Sequence, residues 1–257
     1  MEIMCENPEI RDLIKDDLDR VVKVCGGIPL VLKIVGAHLR KQEYKSDHCT
    51  QILEALQKGG RIKEDDLSNR LFHFVYDKLE VSTQEAFLDI CCSFHNSRAA
   101  STVEFIVGAD QLTVLQEVAF LDIDKENDSL FVHDIIGSIG RTLPNSRRIF
   151  DINSWCEAEK DETKLKGING VLLPRNDCTL EKRHLNLMKN SLRILKWEGR
   201  IDVGETEAVT LPELRYIYAP GDISWVNVEA LHKLAVLKLE KLPTKLTGPL
   251  KASPKFQ

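Results

Sequence analysis

Three segments toward the C-terminal end repeat one pattern. LRILKWEGR (192–200), LRYIYAPGD (214–222) and LAVLKLEKL (234–242) begin 22 and then 20 residues apart. Each sets apolar side chains at its first, fourth and sixth positions: Leu192, Leu195 and Trp197; Leu214, Ile217 and Ala219; Leu234, Leu237 and Leu239. A unit this short cannot bury its apolar face alone, so near-constant spacing points to units stacked into a solenoid with one continuous core. The side chains between, among them Arg193, Lys196, Arg215, Tyr216, Tyr218 and Lys238, then line the concave face. GINGVLLP (167–174) reads as an earlier, degenerate rung, and the lack of a polar capping repeat after Pro249 as a sign of a truncated array. A plain α/β sheet whose strands happen to begin with leucine is the alternative.

Upstream the apolar period is that of helices. Asn7 can cap, Pro8 suits a first helical position, and Ile10, Leu13, Ile14, Leu18, Val21 and Cys25 recur at helical spacing before Gly26-Gly27 stops the turn. Pro29 opens a second helix with Leu30, Ile34, Val35 and Leu39 on one face. A third, from Asp47, buries Ile52, Leu53 and Leu56 until Gly59-Gly60. Ser82 and Glu85 make an S-x-x-E capping box ahead of Phe87, Ile90, Cys91 and Phe94. Short helices over 101–107 and 110–119 carry Val103, Ile106, Leu112, Leu115 and Val118. The period then drops to two, with FLDID (120–124) and SLFVH (129–133) as strands around the polar KEND. From Asn145 the stretch NSRRIFDINSWCEAEKDETKLKG is polar and charged and reads as a linker. The expected class is α+β: a helical subdomain (1–62), a winged-helix-like subdomain (63–145), a linker (146–170) and a short α/β leucine-rich-repeat solenoid (171–257).

Composition bounds the function classes. With 43% apolar and 29% charged residues over 257 positions, a globular chain is expected. Lys33 interrupts the greasiest segment, IPLVLKIVGA, so no run approaches the ~18 apolar residues of a membrane span. MEIMCENPEIRD lacks the basic-then-apolar order of a secretory signal. Seven cysteines without a CxxC pair fit reduced thiols in a cytoplasmic or nuclear setting, and the scattered histidines show no metal-ligand spacing, so no metal site is read. The net charge of -5 is uneven: residues 1–160 carry 19 Lys+Arg against 28 Asp+Glu, and 161–257 carry 16 against 12. Halves of opposite sign either attract each other or simply present different solvated faces.

Three helices followed by a hairpin is the order of a winged helix, which raises nucleic-acid binding. The charges oppose it. Between Val81 and Ala119 stand Glu85, Asp89, Glu104, Asp110 and Glu117 against Arg98 alone, and the would-be recognition helix DQLTVLQEVA has no Lys or Arg to meet phosphates.

Four blocks in order carry a resemblance to a known family. GGIPLVLKIVG (26–36) is similar to a GLPLAL block, FHFVYDKL (72–79) to LRxSYDxL, FLDICCSF (87–94) to FLDIACFF, and VHDIIGSIGR (132–141) to an MHD block of the form MHDLIxxMGR. The chain thus resembles plant nucleotide-binding, leucine-rich-repeat immune receptors, specifically the C-terminal part of their NB-ARC region and the first repeats. FLDICCSF and the long MHD-like block look most like the class with an N-terminal TIR domain. The resemblance spans roughly residues 1–240 and is closest up to Arg141.

The resemblance implies a switch, in defence signalling, between an ADP-bound closed state and an ATP-bound state competent to oligomerise. It also implies repeats that serve autoinhibition or ligand recognition and bind protein partners. It implies that Pro29 packs against the adenine, that His133 reaches the β-phosphate of ADP, and that Asp134 holds the geometry where strand becomes helix. The residue types suit those roles: proline offers a rigid apolar ring with no N–H, a protonated imidazole donates strongly to a diphosphate, and an aspartate caps a helix spanning 135–143. Two positions depart from the pattern, Val132 at the methionine of the MHD block and Val75 at the serine of the SYD block. No G-x-x-x-x-G-K-[ST] loop and no apolar strand ending in paired aspartates occur in these 257 residues, and both are expected upstream of Met1. Binding of ADP or ATP by this chain is therefore expected to be weak, and it is not read as an enzyme. The competing readings are a protein-binding repeat scaffold without nucleotide and a winged-helix nucleic-acid binder.

Overall fold

The computed structural model describes residues 8–41, 46–57, 64–94, 97, 99–143, 147–173, 177–204, 208–220 and 224–239. The Asn7 cap, the Gly59-Gly60 stop, the last three residues of the third repeat segment and the stretch after Pro249 lie outside them. The chain is mixed helix and strand, of the α+β class. It divides into two compact units, one of Met1–Ala100 and Val107–Leu143, the other of Ser101–Ile106 and Pro144–Gln257. The segments read separately as 1–62 and 63–145 thus fall almost wholly into one unit.

In the first unit α1 (Pro8–Val24) and α2 (Pro29–Lys41) meet at Gly26 and Gly27, whose φ of 61° and 76° lie in the left-handed region glycine enters freely. The Ile28 carbonyl accepts from the Leu32 amide at 3.0 Å, so Pro29 takes the first helical position, where its missing N–H costs nothing. The expected face of α2 is buried at Leu30, Ile34, Val35 and Leu39, and α3 (Ser46–Gln57) buries Ile52, Leu53 and Leu56. α4 (Glu64–Tyr76) and α5 (Val81–Ser93) follow. The capping box read at Ser82 and Glu85 does not open α5: Glu80 is its N-cap, so both residues lie within its first turns. That earlier start lets the Gln84 amide reach the Tyr76 carbonyl at 2.9 Å and tie α5 to the end of α4.

α6 (Ala100–Val107) and α7 (Ala109–Glu117) bury Val103, Ile106, Leu112 and Leu115 as the period requires. β1 (Leu121–Asp124) and β2 (Ser129–Val132) form the antiparallel hairpin, Leu121 opposite Val132. Asp124 shapes its turn by accepting from the amides of Glu126 and Asn127, and its carboxyl is held below the usual range chiefly by the Asn127 side chain. α8 (Asp134–Thr142) packs on α5. There a Cβ on Gly140 would stand 2.7 Å from Cys91 Sγ and 2.9 Å from Phe87 Cε1, so only glycine permits this approach.

The main segment of the second unit, from Pro144 on, starts where a linker was expected at 146–170, and the structure corrects that reading. β3 (Arg148–Ile149), α9 (Ile152–Lys160) and a 3-10 turn (Glu162–Leu165) occupy the segment. Its charges coat one side only; Trp155 and Ala158 face inward, and the Trp155 ring lies 4.8 Å from that of Trp197. β4 (Gly170–Leu173), β6 (Ile194–Trp197), β8 (Tyr216–Ala219) and β9 (Val236–Leu239) follow, and with β3 they make a five-stranded parallel sheet in chain order. Gly170, Ile194, Tyr216 and Val236 stand in register. β5 (Thr179–Glu181) pairs with β7 (Arg200–Asp202), and α10 (Lys182–Met188) follows β5. At the three steps from β4 to β9 one carbonyl, of Asn169, Arg193 or Arg215, accepts two successive amides where the next strand begins, at 2.7–3.1 Å. Leu192, Leu195, Trp197, Leu214, Ile217, Ala219, Leu234 and Leu237 share one core. Tyr216, assigned to an open face, is instead buried, and burial pushes its phenol up to about 12.

Candidate functional site

Pro29 and His133, far apart in sequence, line one pocket of about 440 Å³ inside the first unit. That volume is typical of small-molecule sites, roughly 300–1,000 Å³. Pro29, Leu30, Phe120, Leu121 and Val132 give it apolar walls, and Lys33, Asp122, His133 and Asp134 give it polar ones.

Each wall has a local cause. Lys33 follows Pro29 by one helical turn and shares its side of α2, where its ammonium meets Asp122 at 2.5 Å. Both partners are about half exposed, so the pair contributes little to stability. Phe120 is fixed by stacking on Phe72, centroids 4.9 Å apart, and by contact with Phe87. Strand alternation buries Leu130 and Val132 and turns Phe131 outward, 49% exposed, opposite Asp122 at the pocket. Ala119 holds φ 60° after α7, with its amide on the Gln116 carbonyl and the Phe120 amide on that of Leu115. This is a Schellman closure, built with alanine where glycine is the unstrained choice.

The strand does become helix within VHDIIGSIGR: β2 ends at Val132 and α8 begins at Asp134. The capping role expected of Asp134 falls instead to His133, whose Nδ1 accepts from the Ile135 amide at 3.3 Å. Asp134 is the first helical residue, where its charge complements the helix dipole. An imidazole accepting at Nδ1 is neutral and carries its proton on Nε2, which leaves that N–H as the donor free of the cap. The pocket holds two carboxylates against one ammonium, and that ammonium is engaged, so its own charges do not attract a polyanion.

Sequence reading named Pro29 and His133 as site residues and did not so name Lys33, Asp122, Phe120 and Phe131, which line the same pocket. Phe131 carried a usable signal, an aromatic at the outward position of a two-sided strand. Lys33 and Asp122 carried none, since their pairing depends on how α2 meets the hairpin.

No protein-family model matches the chain. Among curated proteins it is 23% identical over 234 residues to disease resistance protein RPP5 of Arabidopsis thaliana, covering 84% of this chain and 16% of that protein. It is 26% identical over 204 residues to disease resistance protein RUN1 of Vitis rotundifolia, covering 72% and 14%, and 22% identical over 215 residues to disease resistance protein RPV1 of the same plant, covering 77% and 15%. The chain is similar to plant disease resistance proteins. The resemblance read from the four blocks is thereby supported over most of the sequence, and the chain spans 14–16% of the length of these disease resistance relatives.

Proposed function

We propose that this chain is part of a nucleotide-switched plant immune receptor acting in the cytoplasm or nucleus, and that the pocket between α2 and the hairpin takes the purine end of ADP or ATP. The carrying observation is that Pro29 and His133 line the same pocket, with an apolar ring on one wall and an imidazole N–H on another. The apolar walls suit a flat base. His133 Nε2–H reaches the β-phosphate, and the remaining phosphate contacts come from a loop absent from these 257 residues. Binding by this chain alone is consequently weak, and hydrolysis is not a function of it.

The second unit is read as a short run of leucine-rich repeats that binds protein partners. Strands in chain order, one in-register row and a double hydrogen bond recurring at the three steps from β4 to β9 support that reading.

Calorimetry with ADP tests the nucleotide reading. A dissociation constant of about 0.1–1 mM is expected, corresponding to about 4–5.5 kcal/mol of binding. Sub-micromolar binding lost in His133→Ala would overturn the weak-binding reading, and no binding at several millimolar would overturn the site.

A further inference from the structure

Glu159 on the last turn of α9, Glu181 at the end of β5 and His184 on α10 each bring one ligand atom within 4.8 Å of the others, all inside the second unit. Glu181 and His184 are spaced i, i+3 (EKRH, 181–184), which sets both on one side of the start of α10. The cluster holds more than acids. His184 is fully buried, and its Nε2 finds no hydrogen-bond partner among the described residues. That nitrogen faces Glu159 Oε1 at 3.9 Å, beyond hydrogen-bond reach. A buried polar atom in this condition is costly and calls for an explanation, and an ion is one that the neighbouring carboxylates supply a shell for.

We infer that Glu159, Glu181 and His184 form a site for a divalent cation of the zinc class, with water completing the coordination.

The donor set fits. One imidazole with carboxylates is a borderline nitrogen and oxygen shell, which suits zinc, and two carboxylates neutralise its charge. Zinc holds such atoms at roughly 2.0–2.2 Å in a tetrahedral shell, so ligand atoms stand about 3.4 Å apart and the cluster must draw in by about an ångström to close. Glu159, about a third exposed on the last turn of its helix, has room to make that movement. Glu181 gives Oε2 to the Arg183 guanidinium at 2.9 Å, and its side chain also meets the His184 backbone amide in a capping box, so the cation would share a carboxylate already oriented from two sides. Arg183 also holds Glu162 at 3.1 Å, so it orients the carboxylate from outside. Burial pushes the His184 imidazole below its ordinary value, which keeps the ring neutral and able to coordinate. As the side chains stand, Nδ1 accepts the Glu181 amide at 3.2 Å and the ring proton sits on Nε2. Coordination at Nε2 moves that proton to Nδ1, no proton is lost overall, and the hydrogen bond from the Glu181 backbone amide to Nδ1 is given up.

Zinc chloride titrated into the full chain by calorimetry, and cobalt(II) followed by visible absorption, test the site. One zinc per chain is expected, with affinity falling at least about tenfold in Glu159→Gln. Cobalt should give d–d bands without the ultraviolet charge transfer of thiolate ligation, and the Glu181 amide resonance should shift. Unaltered zinc affinity in Glu159→Gln would overturn the inference. So would zinc binding abolished in Cys156→Ser/Cys178→Ser, or no binding at all.

Discussion

Replacing Gly140 by alanine inserts one methyl into the contact between α8 and α5. The new Cβ meets Cys91 Sγ at 2.7 Å, Phe87 Cε1 at 2.9 Å and Cys91 Cβ at 3.1 Å. The sulfur can rotate away. Cys91 Cβ cannot, and the Phe87 ring is wedged against Phe72 and Phe120, with centroids 5.4 and 5.3 Å away. The helices must therefore separate by a few tenths of an ångström. Overpacking of this kind costs about 1–3 kcal/mol, while alanine in a helix regains about 1 kcal/mol over glycine. A net loss of about 1 kcal/mol is expected, read as a lower midpoint in urea by far-ultraviolet circular dichroism. Trp155, Trp197 and Trp225 all lie in the second unit, so fluorescence separates a local effect in the first unit from unfolding of the whole chain. A Gly140→Ala variant more stable than the parent, by the propensity gain alone, would refute the close-approach account.

Three further outcomes follow. Ala119→Gly, at φ 60°, should raise stability by about 0.5–1 kcal/mol in the same urea assay, and a loss would show that the methyl packs better than the backbone suffers. Asp151 caps α9 and accepts from the Ser154 hydroxyl and amide, which hold its carboxyl below the usual range. Its stabilising effect is thus complete above the unfolded value of about 3.9 and lost as pH falls through the lower folded value. An Asp151→Asn variant should show a flatter stability profile between about pH 4 and 2, and an unchanged slope would dismiss the cap. The acidic 81–119 segment should leave the chain without affinity for duplex DNA in gel shifts, and a salt-sensitive shift would reinstate the nucleic-acid reading.

Much of the fold was legible because its signals are local. The Gly26-Gly27 stop, the start at Pro29 and the hairpin at FLDID and SLFVH each follow from short-range chemistry, and each stands where the pattern put it. The errors have one kind of cause. Segment 146–170 looked like a linker because its many charges outweighed two inward positions, Trp155 and Ala158, whose spacing was the better clue. The α5 start moved because a tertiary bond from Gln84 to Tyr76 outweighed a local capping box. His133 took the cap from Asp134 because the imidazole, one residue earlier, already reaches the Ile135 amide. Of the pocket, the sequence exposed only the two residues carried by recognisable blocks. The Lys33–Asp122 pair and the cluster of Glu159 with His184 are products of packing between distant segments, with only the EKRH spacing visible in advance.

The account rests on the pocket of Pro29 and His133 taking a purine nucleotide. The most direct measurement is amide and imidazole chemical shift on titration with ADP to several millimolar, comparing the chain with His133→Asn, which keeps a capping acceptor but removes the reach of Nε2. Saturable shifts at Leu30, Phe131 and His133, weakened about tenfold or more in the variant, are the expected result. Shifts confined to other surfaces, or none at these residues at the highest concentration, would contradict it.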